Sequence, residues 1–384
     1  MPRAVEVART FADVERLAAR WDAAGWTREE AERPMLVART KSRPEAVAPF
    51  GVVVSDGDET AGALAARIDR RKLAASFGYK TVVAPQVRLL HVIDGGIWLP
   101  DAAAVDAAVG AVREALERRE IDAVALPYLP VDSPVLAAFE RIGGPFQRQR
   151  RTRPHRRWRL DLPASFDEFL ASRSPNTRWR LRRDARRLEA AFGDELRVEV
   201  LREPGDLERL FADVERVART TYQRALGRGF ADTPERRAVT RVGLEHGWVR
   251  TYLLYRGAAP VAFWVCSLYR GTLLVRQTGY DQQYADLRVG LYLLTRAIER
   301  AVDDPEITVV DFGQGEAAYK QQLGGESWEE RDLLVFAPTP RAVRINVTRN
   351  AVLAAADVTR RALDAVQLTD RIRSGWRGRL RSPS

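Results

Sequence analysis

A tyrosine and a lysine stand next to each other after a glycine-rich turn, and these side chains can transfer protons and bind anions. Residues 309–325 read VVDFGQGEAAYKQQLGG, which predicts a buried strand, a sharp turn at the first glycines and a short helix carrying Tyr319 and Lys320. Ligands of open α/β sheets bind beyond the carboxyl ends of the strands. We therefore expect the segment from Asp311 to Lys320 to border a binding site.

Four residues of this segment are candidates for catalysis. Tyr319 can act as a general acid toward a leaving group, and Lys320 can hold an anionic group or orient an acceptor. Asp311 can orient Lys320 or cap the glycine turn, and Glu316 is the candidate general base. Structural alternatives stay open: packing for Tyr319, solvent exposure for Lys320, and a structural carboxylate for Asp311. For Glu316 the alternative is a helix N-terminal charge.

A second candidate segment joins a strand end to a helix start. Residues 278–291 read TGYDQQYADLRVGL, so a polar loop separates Thr278 and Gly279 from the helix that begins near Gly290. Free N–H groups at a helix start favour a pyrophosphate, here at Val289 and Gly290. The guanidinium of Arg288 can pair with a phosphate oxygen.

Basic segments raise the question of anionic partners. Arginine is dense over residues 148–159 and 173–187, where Trp179 is interleaved, so a nucleic-acid surface must be considered beside a solvated helix that joins two parts of the chain. The segment 339–384 holds ten arginines and three aspartates. This tail fits contact with nucleic acid, an anionic membrane or acidic substrates, or a solvated helix face.

The sequence lacks the residue patterns that several other classes of functional site require. His91, His155 and His246 have no zinc spacing with the single cysteine, Cys266, so we expect no metal site. Neither a nucleophile elbow nor a Walker-type phosphate loop occurs. The sequence shows no signal peptide and no membrane-spanning stretch. With one cysteine, it predicts a cytoplasmic protein.

The elements that position these residues predict a mixed α/β fold in two domains. A chain of 384 residues fits two domains, and we predict an N-terminal domain at 1–163, a catalytic domain at 164–338 and a basic helical tail at 339–384. In the second domain a helix precedes a three-strand meander, which is followed by helix, strand, helix and strand. In the first we predict an Arg- and Pro-rich loop before the strand at Gly51, and a hairpin turn at residues 94–96.

A short repeat supports duplication of one unit. The sequence FADVER occurs at residues 11–16 and again at residues 211–216. Each copy is predicted to open the first long helix of its domain, and the order of elements is similar on both sides. The sequence therefore predicts two tandem domains of related fold.

The C-terminal part, from about Ser165 to Ala337, resembles GNAT acetyltransferases of the BioF2-like or CelD-like type. The resemblance is carried by the arginine-rich helix at 174–188, by Gly279-Tyr280-Asp281 with the loop into Gly290, and by Asp311-Phe312-Gly313 with Tyr319-Lys320. The tandem layout also resembles Fem-type peptidyltransferases, which fuse two GNAT folds.

The resemblance implies an acyl donor, most often acetyl-CoA or another acyl-CoA, held between the strands at 272–278 and 307–312. It implies direct attack on the thioester by an amine or a hydroxyl. Backbone N–H groups near Gln277, Thr278 and Gly279 would stabilise the oxyanion, and Tyr319 would protonate the departing CoA.

Three functions follow from these observations. The first is acyl transfer from acyl-CoA to a small or carbohydrate-like acceptor. The second is an aminoacyl-tRNA-dependent transferase, although the helical-hairpin insertion of its commonest form is not visible. The third is a non-enzymatic module that uses the basic tail to bind nucleic acid or a membrane surface. The acceptor and the oligomeric state stay undetermined.

Overall fold

The computed structural model describes most of the chain, and its strands form one long sheet and one short ribbon. The described residues are 3–78, 80–149, 154–221, 224, 229–315 and 317–365. In chain order the strands are β1 Ala4–Ala8, β2 Ala46–Asp56, β3 Glu59–Lys72, β4 Ala75–Phe77, β5 Lys80–Val83, β6 Gln86–Trp98, β7 Ala123–Pro130, β8 His155–Asp161, β9 Leu196–Leu201, β10 Val249–Arg256, β11 Ala259–Tyr269, β12 Thr272–Tyr280, β13 Val309–Gln314 and β14 Glu326–Phe336.

Helices cover both faces of the sheet, which confirms the mixed α/β class. The strands of the twelve-stranded sheet run in the spatial order β1-β2-β3-β6-β7-β14-β8-β13-β12-β11-β10-β9, and β4 pairs with β5. In chain order the helices are α1 Phe11–Arg16, α2 Ala18–Asp22, α3 Arg33–Ser42, α4 Ala102–Glu117, α5 Pro134–Glu140, α6 Phe166–Ala171, α7 Pro175–Phe192, α8 Leu207–Thr220, α9 Pro234–Glu245, α10 Val289–Val302, α11 Ala318–Leu323 and α12 Pro340–Ala365.

Two pairs of neighbouring strands are parallel, and each pair diverges after a short stretch of pairing. In the C-terminal half β12 pairs with β13 from Thr272–Val309 to Leu274–Asp311 only. In the N-terminal half β6 pairs with β7 from Leu89–Ala123 to His91–Ala125 only. The same geometry in both halves agrees with a duplicated unit.

The two halves exchange strands at the centre of the sheet. Strand β8, which precedes the C-terminal half in sequence, pairs with β13 and β14 of that half. Strand β14 pairs with β7 of the N-terminal half and with β8. The cores follow this exchange, because Val335 and Phe336 of β14 are buried among N-terminal residues and Leu160 of β8 among C-terminal ones.

Several elements differ from the sequence prediction. The hairpin predicted at residues 94–96 is wrong: β6 is continuous, and residues 93–96 bulge out opposite Ala65. Gly95 has φ +73, and a Cβ there would lie 2.1 Å from Cγ of Arg28, so the glycine serves close packing. The prediction of an Arg- and Pro-rich loop before Gly51 is also wrong in part, because residues 33–42 form α3.

The repeated hexapeptide is helical in both halves but does not open two long helices. The first copy forms the short α1, and the second begins at the fifth residue of the longer α8. Val14 and Val214, at the same place in the two copies, are both fully buried.

The described part of the basic tail is helical and packs on the N-terminal half. Ala342 is buried in its core, and the amide of Asn346 donates to the carbonyl oxygens of Phe146 and Arg148 at 2.8 and 2.9 Å. Among the described residues, no helix has the length and apolar character needed to cross a membrane. Residues 366–384 lie outside the described part of the chain.

Candidate functional site

Most of the predicted binding residues surround one cleft, at the point where β12 and β13 part. This cleft, the Tyr319 cleft, measures about 550 Å³. Its lining includes five of the predicted residues together with Trp264 and basic side chains of α7: Arg183, Arg187, Trp264, Thr278, Gly279, Arg288, Gly290 and Tyr319. Residues that are far apart in sequence therefore meet at the gap between the two strands.

The phenol ring of Tyr319 forms part of an aromatic cluster at the base of this cleft. Its ring centroid lies 6.0 Å from that of Trp264 and 6.2 Å from that of Phe312. Burial, with a smaller contribution from Cys266, raises the pKa of Tyr319 to about 12. The residue is half-buried, and its hydroxyl forms no hydrogen bond with the described part of the chain.

A β-bulge in β12 lies beside the cleft. Val265 of β11 is opposite Gln277 and Cys266 is opposite Val275, so Arg276 has no opposite residue. Beyond Leu274 the other edge of β12 has no pairing with β13. The backbone of β12 from the bulge onward thus faces the gap without a partner strand.

The helix start at the cleft has the predicted sequence and an unusual backbone. Arg288 caps α10 with φ 53, the left-handed region that non-glycine residues seldom adopt. Its guanidinium pairs with Asp184 at 3.4 Å, and Asp184 also pairs with Arg183 at 2.6 Å. Val289 is fully buried in the core, so at this position only the backbone can face a ligand.

Gln277 lies on the other face of β12, in a second pocket. Successive strand residues point to opposite faces, so Gln277 and Thr278 border different cavities. This second cavity, the Arg236 pocket, measures about 410 Å³ and lies between the two halves. Its charged lining comes from the turn before α3, from α3 and the residue after it, from the start of α9 and from β12, where Gln277 is adjacent: Glu29, Glu30, Arg39, Arg43, Glu235, Arg236 and Arg276.

Asp311 and Lys320 belong to the framework of the cleft. Asp311 is buried, pairs with Arg157 at 2.8 Å and with Arg28 at 2.5 Å, and accepts from the N–H of Gly313 at 2.8 Å. Burial acts against its ionisation, but Arg157 and Arg28 outweigh it and hold the pKa below the ordinary value.

The ammonium of Lys320 is 5% exposed and donates to the carbonyl oxygens of Gly313 and Gln314 at 3.2 and 2.6 Å. It therefore holds the glycine turn together from within. Glu316, the predicted general base, lies outside the described residues.

Charged side chains from the N-terminal half lie close to this framework, and the sequence analysis missed them. Glu30 accepts from Arg39 at 2.9 Å and pairs with Arg276 at 3.3 Å. Burial raises the pKa of Glu30, but Arg276, Arg39 and further arginines outweigh it and lower the value to about 2.

The pKa of Asp94, in the bulge of β6, is raised, whereas that of Glu30 is lowered. Burial and then Glu30 raise its pKa, against the effect of Arg157, Arg28 and Arg276. In sequence, only its place before two glycines drew attention to it. Among the described residues, no group of three or more acidic, histidine or cysteine side chains is arranged to hold a metal ion.

The C-terminal part thus combines a parallel strand pair that splays next to a bulge with a helix start at the same cleft. Residues 175–321 match the family model described as Acetyltransferase (GNAT) domain. This part of the chain, which holds the Tyr319 cleft, is therefore a GNAT domain.

Solved structures extend the likeness to the whole chain. FemX is 11% identical with a TM-score of 0.62, and the match covers 89% of this chain and 100% of FemX. A protein of unknown function from Bacteroides thetaiotaomicron VPI-5482 has 12% identity and a TM-score of 0.51, covering 86% of this chain and 100% of that one. L-PGS from Bacillus licheniformis has 12% identity and a TM-score of 0.50, covering 92% and 98%. At these identities the likeness shows the fold alone. No curated protein matches the sequence.

Proposed function

We propose that the protein transfers an acyl group from acyl-CoA to an amine or hydroxyl of a small acceptor. The observation that carries this proposal is that Tyr319 lines one cleft with Thr278 and Gly279 of β12, beyond the point where β12 stops pairing with β13. The predicted roles of Tyr319 and of the backbone from Gln277 to Gly279 require this arrangement. Had packed side chains filled the gap, no thioester would fit there.

The residues of the Tyr319 cleft suit an acyl-CoA. Arg187 and Arg288 supply positive charge for phosphate groups, and the start of α10 adds backbone N–H groups. The aromatic rings of Trp264 and Tyr319 offer an apolar wall for the acyl end. Acetyl-CoA is the simplest donor that fits these features.

In the proposed reaction the acceptor enters from the Arg236 pocket. Its nitrogen or oxygen lone pair forms a bond to the thioester carbonyl carbon, while backbone N–H groups of β12 stabilise the negative charge on the carbonyl oxygen. The carbon–sulfur bond breaks, and the hydroxyl of Tyr319 gives its proton to the sulfur. The attacking atom releases its own proton to solvent, and solvent reprotonates Tyr319.

Calorimetric titration with acetyl-, succinyl- and longer-chain acyl-CoA tests the donor. We expect binding at micromolar to millimolar concentration, weakened about tenfold when Arg187 or Arg288 is changed to glutamine. Arg118→Gln, at the exposed residue that follows α4 in the other half, is the matched control. Absence of binding at millimolar CoA would contradict the proposal.

A second candidate is an aminoacyl-tRNA-dependent transferase, favoured by one surface. Trp179 of α7 is 58% exposed, and the guanidinium carbon of Arg183 lies 4.8 Å from its ring centroid. Arg178, Arg182 and Arg186 border the same groove. Filter binding of charged tRNA at about 0.15 M salt separates specific binding from a purely electrostatic one. Retention of tRNA there, without CoA binding, would favour this candidate.

A further inference from the structure

The Arg236 pocket contains a cation, the guanidinium of Arg236, for which the described residues provide no carboxylate partner. Arg236 lies in the first turn of α9, and its guanidinium carbon is 4.6 Å from the ring centroid of Phe230. One N–H group donates to the side-chain oxygen of Gln277. Within the described residues no carboxylate forms an ion pair with it, whereas Arg39 and Arg276 in the same pocket each have one. Burial lowers the pKa of Arg236.

A half-buried guanidinium with free donors is matched best by an anionic group. An arginine presents several N–H donors in a fixed plane, which suits the two oxygens of a carboxylate or phosphate. The neighbouring Arg43 adds positive charge, because its carboxylate contacts are long, 3.6 Å to Glu45 and 3.7 Å to Glu235. The pocket therefore favours a negatively charged ligand.

Glu29 provides the complementary feature, an acceptor without a donor. One of its carboxylate oxygens accepts from Arg276 at 2.5 Å. The other, Oε2, is buried and has no hydrogen-bond partner in the described part of the chain. The residue is 5% exposed and lines the pocket. A buried carboxylate oxygen without a donor is costly, and an ammonium group is a donor that satisfies it.

The two features meet at the bulge of β12. Glu29 contacts Arg276 and Arg236 contacts Gln277, and these are consecutive residues of β12. Both side chains line the same pocket, so a ligand that touches both lies against the β12 backbone at Arg276 and Gln277, next to where the proposed thioester carbonyl is bound.

We propose that the acceptor is a primary amine that also carries a carboxylate or a phosphate, with Arg236 binding the anionic group and Glu29 orienting the amine. The inference rests on the proposed acyl transfer, since it names the class of acceptor. Glu29 is a positioning residue: with one oxygen held by Arg276, its other oxygen accepts a hydrogen bond from the acceptor nitrogen, and an ammonium group releases its extra proton to solvent before the nitrogen attacks. The N-terminal half thus contributes to acceptor selection.

Matched pairs of probes test the anionic part of the proposal. L-Alanine and L-alaninamide differ only in the carboxylate, and O-phosphoethanolamine and ethanolamine differ only in the phosphate. We expect the anionic member of at least one pair to bind the full-length protein about tenfold or more tightly by calorimetry. Thiol release from acetyl-CoA is expected to show the same preference in KM, and the better pair identifies the anion.

Variants connect the preference to the two side chains. Arg236→Gln should weaken binding of the anionic member and raise its KM, which abolishes the preference, and Arg236→Lys should restore part of it. Arg241→Gln, an exposed arginine on the same helix, is the control. L-Alanine and propionate test Glu29, because Glu29→Gln should erase the advantage of the amine over its amine-free analogue.

The proposal is overturned if the neutral members bind as well as the anionic ones, if Arg236→Gln weakens both members equally, or if no anionic member binds at millimolar concentration. CoA titrated into the same proteins tests the Tyr319 cleft separately. If wild type does not bind CoA, the acyltransferase proposal is contradicted. If wild type binds CoA but does not prefer the anionic member of either probe pair, only the proposed acceptor class is contradicted.

Discussion

Tyr319 combines a protonated hydroxyl with access to the cleft. Because burial raises its pKa to about 12, the phenol keeps its proton at every pH at which the protein is usefully assayed. If Tyr319 protonates the leaving thiolate, Tyr319→Phe should lower kcat about a hundredfold, the usual scale of general acid catalysis. Steady-state rates with acetyl-CoA measure this effect.

The control for this variant is Tyr292→Phe. Tyr292 also has a partly buried hydroxyl, which donates to Glu189 at 3.2 Å, but it lies outside the Tyr319 cleft. We expect unchanged CoA affinity in both variants. An equal rate for wild type and Tyr319→Phe would remove Tyr319 from the reaction. A loss of rate in wild type at mildly alkaline pH would have to come from another group.

Asp94 makes the stability of the fold depend on pH in a known direction. Its pKa is raised by burial and by Glu30, so its contribution to stability is fully present below the unfolded value of about 3.9 and is lost as the pH rises through the folded value. Asp94→Asn removes this loss. The variant should therefore gain free energy of unfolding relative to wild type as the pH rises, and the difference should level off above the folded pKa.

Urea denaturation of both proteins between about pH 4 and pH 8 measures this difference. Asp58→Asn, in an exposed turn between β2 and β3, removes one carboxylate without a burial effect and serves as the control. A stability difference for Asp94→Asn that shrinks with rising pH would have the wrong sign and would contradict the assigned environment.

Among the elements, the glycine turn after β13 depends on Lys320. Its ammonium is buried and satisfies the carbonyl oxygens of Gly313 and Gln314. Lys320→Met keeps much of the side-chain volume but leaves two acceptors without this donor, so the variant should lose about 1–3 kcal/mol of stability. Thermal unfolding measures the loss, with the exposed Lys72→Met as the control. Unchanged stability together with a lost rate would instead assign Lys320 to substrate binding.

The strands and helices around the Tyr319 cleft could be predicted because local sequence determines them. The meander β10 to β12, the helix α10 and the turn at Gly313 all follow from hydrophobic periodicity and glycine placement. By contrast α3 and α9 have few apolar residues, and each buries little: Met35 and Leu36 in α3, Leu244 in α9. Packing of these two helices against each other and against the sheet supplies the stability that their sequences do not indicate.

The residues of the candidate site also fall into two groups, those that could be predicted from sequence and those that could not. Thr278, Arg288 and Tyr319 could be brought together from sequence because they lie near or after strand ends of one unit. Glu29, Asp94 and Arg236 could not, since each reaches the site from a distant element. The positions of Glu29 and Asp94 depend on which strands become neighbours across the two halves, and that of Arg236 depends on the packing of α9. No local pattern carries this information.

At the scale of the whole molecule, the strand exchange makes the two halves depend on each other. Asp311 of the C-terminal half pairs with Arg28 of the N-terminal half and with Arg157 of β8. Removing one member of a buried ion pair costs several kcal/mol, about 3–5 in measured cases. Asp311 is also the last residue of β13 that pairs with β12, so the N-terminal half holds β13 at the point where the two strands part.

The strand exchange predicts that residues 164–338 do not fold when produced alone. In that fragment β13 lacks β8, and β14 lacks both of its neighbours, which leaves open strand edges and the apolar side chains of β14 exposed. We expect an aggregated product by size-exclusion chromatography.

Two other fragment designs serve as comparisons. The fragment 154–384 contains β8 as well, so it should be more soluble. Co-expression of 1–163 with 164–384 should give a folded complex with one cooperative unfolding transition. A monodisperse, cooperatively melting 164–338 would mean instead that β13 and β14 are stable without the N-terminal strands, and that the proposed acceptor pocket can be separated from the Tyr319 cleft.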